Sequence, residues 1–416
     1  MRRRKFLAAG CGAGLAAWGA FRLGEDGPMP DDLRAEDTAA DKSQHPRPRT
    51  KEEIPTPALL VDLDALEANL KNMAEHCQQA GVKFRPHAKT HKCPEIARRQ
   101  VQAGAVGVCA ATVPEAEALV AAGIHGVLLT SPIVEPAKIA RMVRLVRQDA
   151  STMLSVGHSR QVELLAAAAE AAGVKVDVLV DVDVGDRRTG ILPGEGAVEL
   201  ARQIQRSSRL RVRGVQAYAG SASHVVGYEA RRTRSIELMS KAVHTRELLK
   251  RAGFDAAILS GGSTGTYNID SALEGMTELQ VGSYVFMDLD YRRIGGQSGD
   301  VYTDFRPSLT VLATVVSATH EDRVTIDAGT KALDTTTTHR PEPKDLPGLV
   351  YSRGGDEFGI LTQEGSGELP QIGQRVELFI PHCDPTTNLY DRLYACRGGR
   401  VEGIWPIAAR RELATL

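Results

Sequence analysis

The 416-residue sequence predicts an α/β protein: a parallel (β/α)8 TIM-like barrel followed by a β-rich C-terminal domain. Three observations carry that prediction. Short apolar runs alternate with amphipathic stretches about eight times over roughly 245 residues, the rhythm of a closed ring of strand-helix units. The first apolar run is not followed by the GxGxxG turn of an open dinucleotide-binding sheet. Beyond Gly299 helical periodicity gives way to short strand-like runs separated by turn residues.

The chain starts with Arg2-Arg3-Arg4-Lys5 and a weakly apolar run, Phe6 to Phe21, which contains Gly10, Gly12, Gly14 and Gly19. At 16 residues that run is short of the ~20 apolar residues that cross a bilayer. A basic start before a short apolar segment reads as a twin-arginine-type export leader over residues 1–24, destined for the periplasm and either cleaved or kept as an N-terminal anchor. No membrane span is expected in the mature protein. Residues 25–52 hold no Val, Ile, Cys or aromatic residue and read as a flexible linker.

Folding is expected to begin near Ile54, with the barrel over 53–298. Ala58 to Val61 reads as its first strand, followed by a helix whose buried face is Leu63, Leu66, Leu70, Met73 and Cys77. The unit recurs as runs at 107–110, 126–129 and 153–156, before helical stretches at 115–122, 137–146 and 162–172. Further strands are expected at 176–184, 212–218, 256–259 and 279–281, with helices at 197–204 and 236–249. In the β-rich domain, 299–416, the expected strands are 309–316, 323–326 and 376–380.

Lys plus Arg is 51 against 52 Asp plus Glu, a net charge of −1 that excludes a broadly basic nucleic-acid-binding surface. Residues 1–24 hold five of those bases and no acid, leaving the remainder at 46 against 52. The six cysteines include no CxxC pair, which excludes a zinc ribbon and a disulfide framework.

Chemistry concentrates in a few segments. Arg85-Pro86-His87-Ala88-Lys89-Thr90-His91-Lys92 follows the second predicted strand, at the barrel end where active sites form. Gly261-Gly262-Ser263 and Gly282-Ser283-Tyr284 follow later strands, and small residues there let backbone N–H groups approach a phosphate. In Pro381-His382-Cys383-Asp384 an extended backbone would aim His382 and Asp384 to one side and Cys383 away, a pair suited to manganese, magnesium or zinc.

The PHAKTHK segment resembles the cofactor-lysine segment of fold-type III pyridoxal-phosphate enzymes, in the D-threonine aldolase and D-serine dehydratase group with its alanine racemase-like barrel. Thr56-Pro57-Ala58, Thr112 to Glu117 and Leu259 to Thr264 extend the resemblance, which runs from Thr56 to Ile407. It implies that Lys89 carries pyridoxal 5'-phosphate. The other cofactor contacts it implies are His87, Arg188, Tyr218, Ser260, Gly261, Gly262, Ser263, Gly282, Ser283 and Tyr284. Arg187, beside Arg188, is an alternative register.

The resemblance also implies that His224 faces the substrate and that His382 and Asp384 hold a divalent metal, manganese first. His-x-Asp is the pattern of aldolase-like members, His-x-Cys that of dehydratase-like ones. Gly355-Asp356-Glu357-Phe358-Gly359 departs from the family's Glu-His-Gly, so Phe358 offers no polar group. The implied activity is retro-aldol cleavage of a small D-3-hydroxy amino acid, D-threonine giving glycine and acetaldehyde, in a homodimer. The alternatives are dehydration of D-serine, D-threonine or 3-hydroxyaspartate, and more remotely an amino-acid racemase or a non-catalytic cofactor-binding protein.

Overall fold

The computed structural model describes residues 47–334, 337–408 and 410. The expected leader and most of the expected linker lie outside the described residues. The linker's end is tied down: Thr50 bridges Arg400, and Lys51 Nζ lies 2.7 Å from Glu377, so the fold includes residues ahead of Ile54.

In chain order the first strands are β1 (Ala58–Asp62), β2 (Lys83–Phe84), β3 (Cys109–Ala110), β4 (Leu128–Leu129), β5 (Met153–Val156), β6 (Val176–Val182), β7 (Leu210–Ala217), β8 (Ile258–Gly261) and β9 (Glu278–Leu279). Eight of them form one sheet in the order β2-β9-β8-β7-β6-β5-β4-β3, every pair parallel. A parallel bridge between His87 and Cys109 joins its two ends, with Cys109 N donating to Pro86 O at 2.7 Å. Helices cover the outside as the spacing predicted. The first, Leu63–Ala80, has Asp62 accepting from Ala65 N at its start and Gly81, at φ 68°, ending it in the left-handed region.

One expectation fails. β1 is not a barrel strand; it lies in the second sheet, antiparallel to β10 (Leu309–Ser317) and parallel to a later strand, Arg392–Arg397. The reason is burial on both faces. Leu59 and Val61 pack into the main core, while Ala58 and Leu60 pack with Leu312, Tyr394 and Cys396. An unbroken apolar run marks a doubly covered strand in either sheet. The barrel's eight strands are made up instead by the two-residue β2 and β9.

The second sheet continues with β11 (Arg323–Ile326), β12 (Glu342–Pro343), β13 (Leu349–Arg353), β14 (Gly359–Gln363), β15 (Arg375–Phe379), β16 (Arg392–Arg397) and β17 (Arg400–Pro406). Its path is β13-β14-β11-β10-β1-β16-β17, with β15 also paired to β10 and β12 to β15. After β15, residues 380–391 are fastened to the segment that follows β9: Leu289 N donates to Ile380 O and Asp290 N to Pro381 O, both at 3.1 Å. No helix among the described residues is long and apolar enough to cross a membrane.

Candidate active site

Lys89 sits in a single 3-10 turn, Ala88–Thr90, directly after β2. His87 starts the turn by accepting from Lys89 N at 3.4 Å, and its Nε2 lies 3.1 Å from Thr130 Oγ1. Burial, reinforced by the Lys89 cation, pushes the His87 imidazole down to about 3, so the ring is neutral. Lys89 Nζ pairs with Asp384 Oδ2. Burial opposes both charges, yet each sustains the other: the lysine is raised and the carboxyl held well below the usual range.

A cavity of about 470 Å³ opens beside this pair at the C-terminal ends of the strands. His87, Lys89, Arg188, Tyr218, Ser263, Gly282 and Ser283 line it, joined by Thr130, Asp181, Gln216, Thr264 and Tyr291, which sequence reasoning missed. The Arg188 guanidinium lies 5.3 Å from the centre of the Tyr218 ring and lines the cavity, which Arg187 does not. The backbone N–H groups of Gly282 and Ser283 have no acceptor among the described residues.

Four expected contacts do other work. Ser260 Oγ accepts from Gln280 Nε2 at 2.9 Å inside the barrel. A Cβ on Gly261 would meet Ala217 O at 2.2 Å, and one on Gly262, at φ +79°, would meet Asp270 Oδ2 at 2.8 Å, so both glycines serve close packing. Tyr284 turns its ring onto Phe305, its hydroxyl accepts from Gln100 Nε2 at 3.2 Å, and its N–H is taken by Thr264 Oγ1 at 3.0 Å.

The His-Cys-Asp segment also departs from the extended backbone expected of it. His382 is extended, but Cys383–Thr387 is a short helix, which swings Asp384 to Lys89. Nor does Cys383 point away. Its thiol, fully buried and pushed far up by burial, lies with His382 and Asp288 in one group whose ligand atoms are all within 4.8 Å.

Asp288 was missed in the sequence. It caps the turn Leu289–Arg292 through Tyr291 N at 3.0 Å, and its Oδ2 faces His382 Nδ1 at 2.8 Å and accepts from Cys383 N at 2.9 Å. Burial opposes the protonated ring, but Asp288 outweighs it and lifts His382 to about 9. Two residues on, Asp290 Oδ2 lies 3.1 Å from His224 Nδ1, and Asp290 Oδ1 lies 3.3 Å from His339 Nε2. The His224 ring packs on Tyr291 at 4.4 Å, and burial lowers its pKa. Acidic residues at 288 and 290, inside the otherwise apolar Val285 to Tyr291, are the signal that marks this turn.

The family model described as "Alanine racemase, N-terminal domain" matches residues 61–290. The chain belongs to that family. A second model, "Putative serine dehydratase domain", matches 308–396. Along its length the chain is similar to a D-threonine aldolase of Arthrobacter sp, 40% identical over 86% of this chain and 93% of the relative. A 3-hydroxy-D-aspartate aldolase of Paracoccus denitrificans is 34% identical over 86% of this chain and 92% of that one. The crystal structure of D-threonine aldolase from Filomicrobium marinum superposes with a TM-score of 0.84 at 38% identity, covering 87% of this chain and 97% of that one.

The racemase-type barrel fits pyridoxal phosphate. A Cβ at Gly282 would come within 2.8 Å of Thr90 Oγ1, so the loop passes beneath the lysine turn only as glycine, beside two free N–H groups that suit a phosphate. The His382 imidazole with the Asp288 carboxylate and the Cys383 thiol, all within 4.8 Å, is a donor set that fits a divalent metal, while Asp384 is paired with Lys89 instead.

Proposed function

We propose that this protein is a carbon-carbon lyase that cleaves D-3-hydroxy amino acids, D-threonine to glycine and acetaldehyde. It uses pyridoxal phosphate at Lys89 and a divalent metal, manganese ahead of magnesium or zinc, at His382 and Asp384. The observation that carries this reading is the pairing of Lys89 Nζ, which lines the cavity at the barrel's end, with Asp384 of the His382-Cys383-Asp384 segment from the β-rich domain.

When bound, the cofactor supplies a sink for the electron pair released as the Cα–Cβ bond breaks, and the metal lowers the pKa of the substrate's 3-hydroxyl. This chain's residues do the rest. Gly282, Ser283 and Ser263 would hold the phosphate end, and Arg188 and Tyr218, which line the same cavity, would border the ring. Asp288 fixes His382 with Nδ1 engaged and Nε2 free. His224, whose pKa burial lowers and whose Nδ1 faces Asp290, would take the hydroxyl proton at Nε2.

A second reading, dehydration of the same substrate class, is favoured by the serine-dehydratase match over 308–396. The deciding assay incubates purified protein with D-threonine, with and without a chelator. Glycine and acetaldehyde, lost on chelation, are expected. 2-Oxobutyrate and ammonia would overturn the aldolase in favour of the dehydratase, and chelator-independent racemisation of L-threonine would overturn both. The proposal extends to a homodimer, to be weighed by light scattering, and to a periplasmic location directed by residues 1–24, to be checked by cell fractionation with and without Arg2 to Lys5.

A further inference from the structure

Arg231 is among the largest side chains wholly hidden from solvent, and among the described residues no carboxylate makes an ion pair with it, Asp304 acting on it only from a distance. Its guanidinium is spent on backbone carbonyls: Nε donates to Gly265 O at 2.8 Å, Nη1 to Val225 O at 2.9 Å and Ile294 O at 2.8 Å, and Nη2 to Gly295 O at 2.7 Å. Tyr228 and Tyr302 flank it, each ring centre 5.8 Å away. An isolated buried cation is costly, and a residue built only to hold loops together does better uncharged.

The three segments it grips explain the charge. Gly265 belongs to the 263–266 loop, whose Ser263 and Thr264 line the cavity. Val225 follows His224. Ile294 and Gly295 end the segment that carries Asp288 and Asp290. These strands of chain also touch one another. A Cβ on Gly265 would meet Ser223 O at 2.1 Å, Gly227 N donates to Ile294 O at 2.8 Å, and Tyr302 donates from its hydroxyl to Thr264 O at 2.7 Å. One cation thus stands directly behind the phosphate-facing loop and on the backbone beside the proposed base.

We propose that Arg231 is a positioning residue that couples the cofactor's phosphate to the placement of His224, the phosphate dianion adding to a counter-charge that the protein supplies only from a distance. This rests on the pyridoxal-phosphate reading. Phosphate held against the 263–266 and 282–283 loops offsets the buried cation through the Gly265 peptide, which firms the grip on Val225 and Ile294.

The test uses the full chain freed of cofactor, as wild type, Arg231→Lys and Arg231→Gln. Two quantities are read: the ratio of affinities for pyridoxal phosphate and pyridoxal, and the rise in melting temperature caused by inorganic phosphate alone. In Arg231→Gln the ratio is expected to fall about tenfold or more and the phosphate-induced rise to vanish, with Arg231→Lys in between. Variants that melt lower but keep both quantities at wild-type values overturn the proposal and leave Arg231 a fold residue. Wild type that does not distinguish the two ligands overturns the cofactor reading with it.

If neither variant folds, hydrogen exchange on wild type decides. Pyridoxal phosphate, unlike pyridoxal, is expected to protect 224–227 and 294–296 together with 263–266. Protection confined to 263–266 refutes the coupling.

Discussion

Asp288→Asn probes whether the acidic turn sets the metal pair. The carboxylate is buried and takes three N–H groups, from His382, Cys383 and Tyr291, at 2.8, 2.9 and 3.0 Å. With Nδ1 donating to Asp288, Nε2 is the nitrogen left to meet a metal, which must displace the proton that Asp288 helps to hold on the ring. The amide preserves size and the Oδ1 cap but puts an N–H group where Oδ2 received two donors, or else turns and gives up the cap. Losing such an outer partner lowers metal affinity about 10- to 100-fold, or about 1.4–2.7 kcal/mol. The buried Cys383 N–H left without its acceptor costs about 1–3 kcal/mol of stability. Titration calorimetry of manganese into metal-stripped wild type and variant reads the first quantity, and denaturant unfolding the second. Metal affinity within twofold of wild type, alongside lost stability, would refute the orienting role and leave Asp288 a cap.

Asp270 is fully buried beneath Gly262, and burial lifts its carboxyl to about 6 despite hydrogen bonds from Ser235 and Thr266. The native state then holds a proton that the unfolded chain releases near pH 4, so stability declines as pH rises from about 4 to 6. Asp270→Asn should flatten that decline, measured by unfolding across the range; an identical pH profile would contradict the assignment. Gly282→Ala places a methyl 2.8 Å from Thr90 Oγ1, and is expected to weaken pyridoxal-phosphate binding by at least about tenfold in an absorbance titration, with fold stability reduced by about 1–3 kcal/mol. His224→Gln should lower kcat by about 10²–10⁴ while leaving the cofactor's absorbance unchanged; a variant with normal kcat would remove His224 from the chemistry.

Much of the barrel was legible because its helices repeat at 3.6 residues and strands such as Met153–Val156 and Val176–Val182 are rich in apolar residues. The unbroken apolar run of Ala58 to Val61 hid where β1 belongs, since it looks alike as a barrel strand under helices or between β10 and β16. Strands β13, β16 and β17 went unseen because they mix apolar with charged residues, as Arg353, Arg392 and Arg400 show, and β14 because its five residues, Gly359 to Gln363, offer only two large apolar side chains. At the site, Lys89, Arg188 and Tyr218 were found because motif order preserves them. The short helix at Cys383–Thr387 was not, because two threonines and a proline in five residues argue against helix, and the bend that brings Asp384 to Lys89 is set by tertiary contacts at Asp288. Asp288 and Asp290 fell outside every motif, although two carboxylates in an apolar stretch ask for partners.

The seat of β1 bears on the order in which the molecule can be made. This strand leaves the ribosome before any of the barrel, yet Ala58 waits for Leu312 and Leu59 for Leu393 before either edge finds a neighbour. Until the last strands arrive, the nascent chain carries a bare apolar ribbon at its front, the kind of edge that recruits other chains. A transcript cut after Gly299 would therefore yield a barrel trailing that open ribbon rather than a smaller enzyme. The division between the two domains exists in space, and no single cut in the gene follows it.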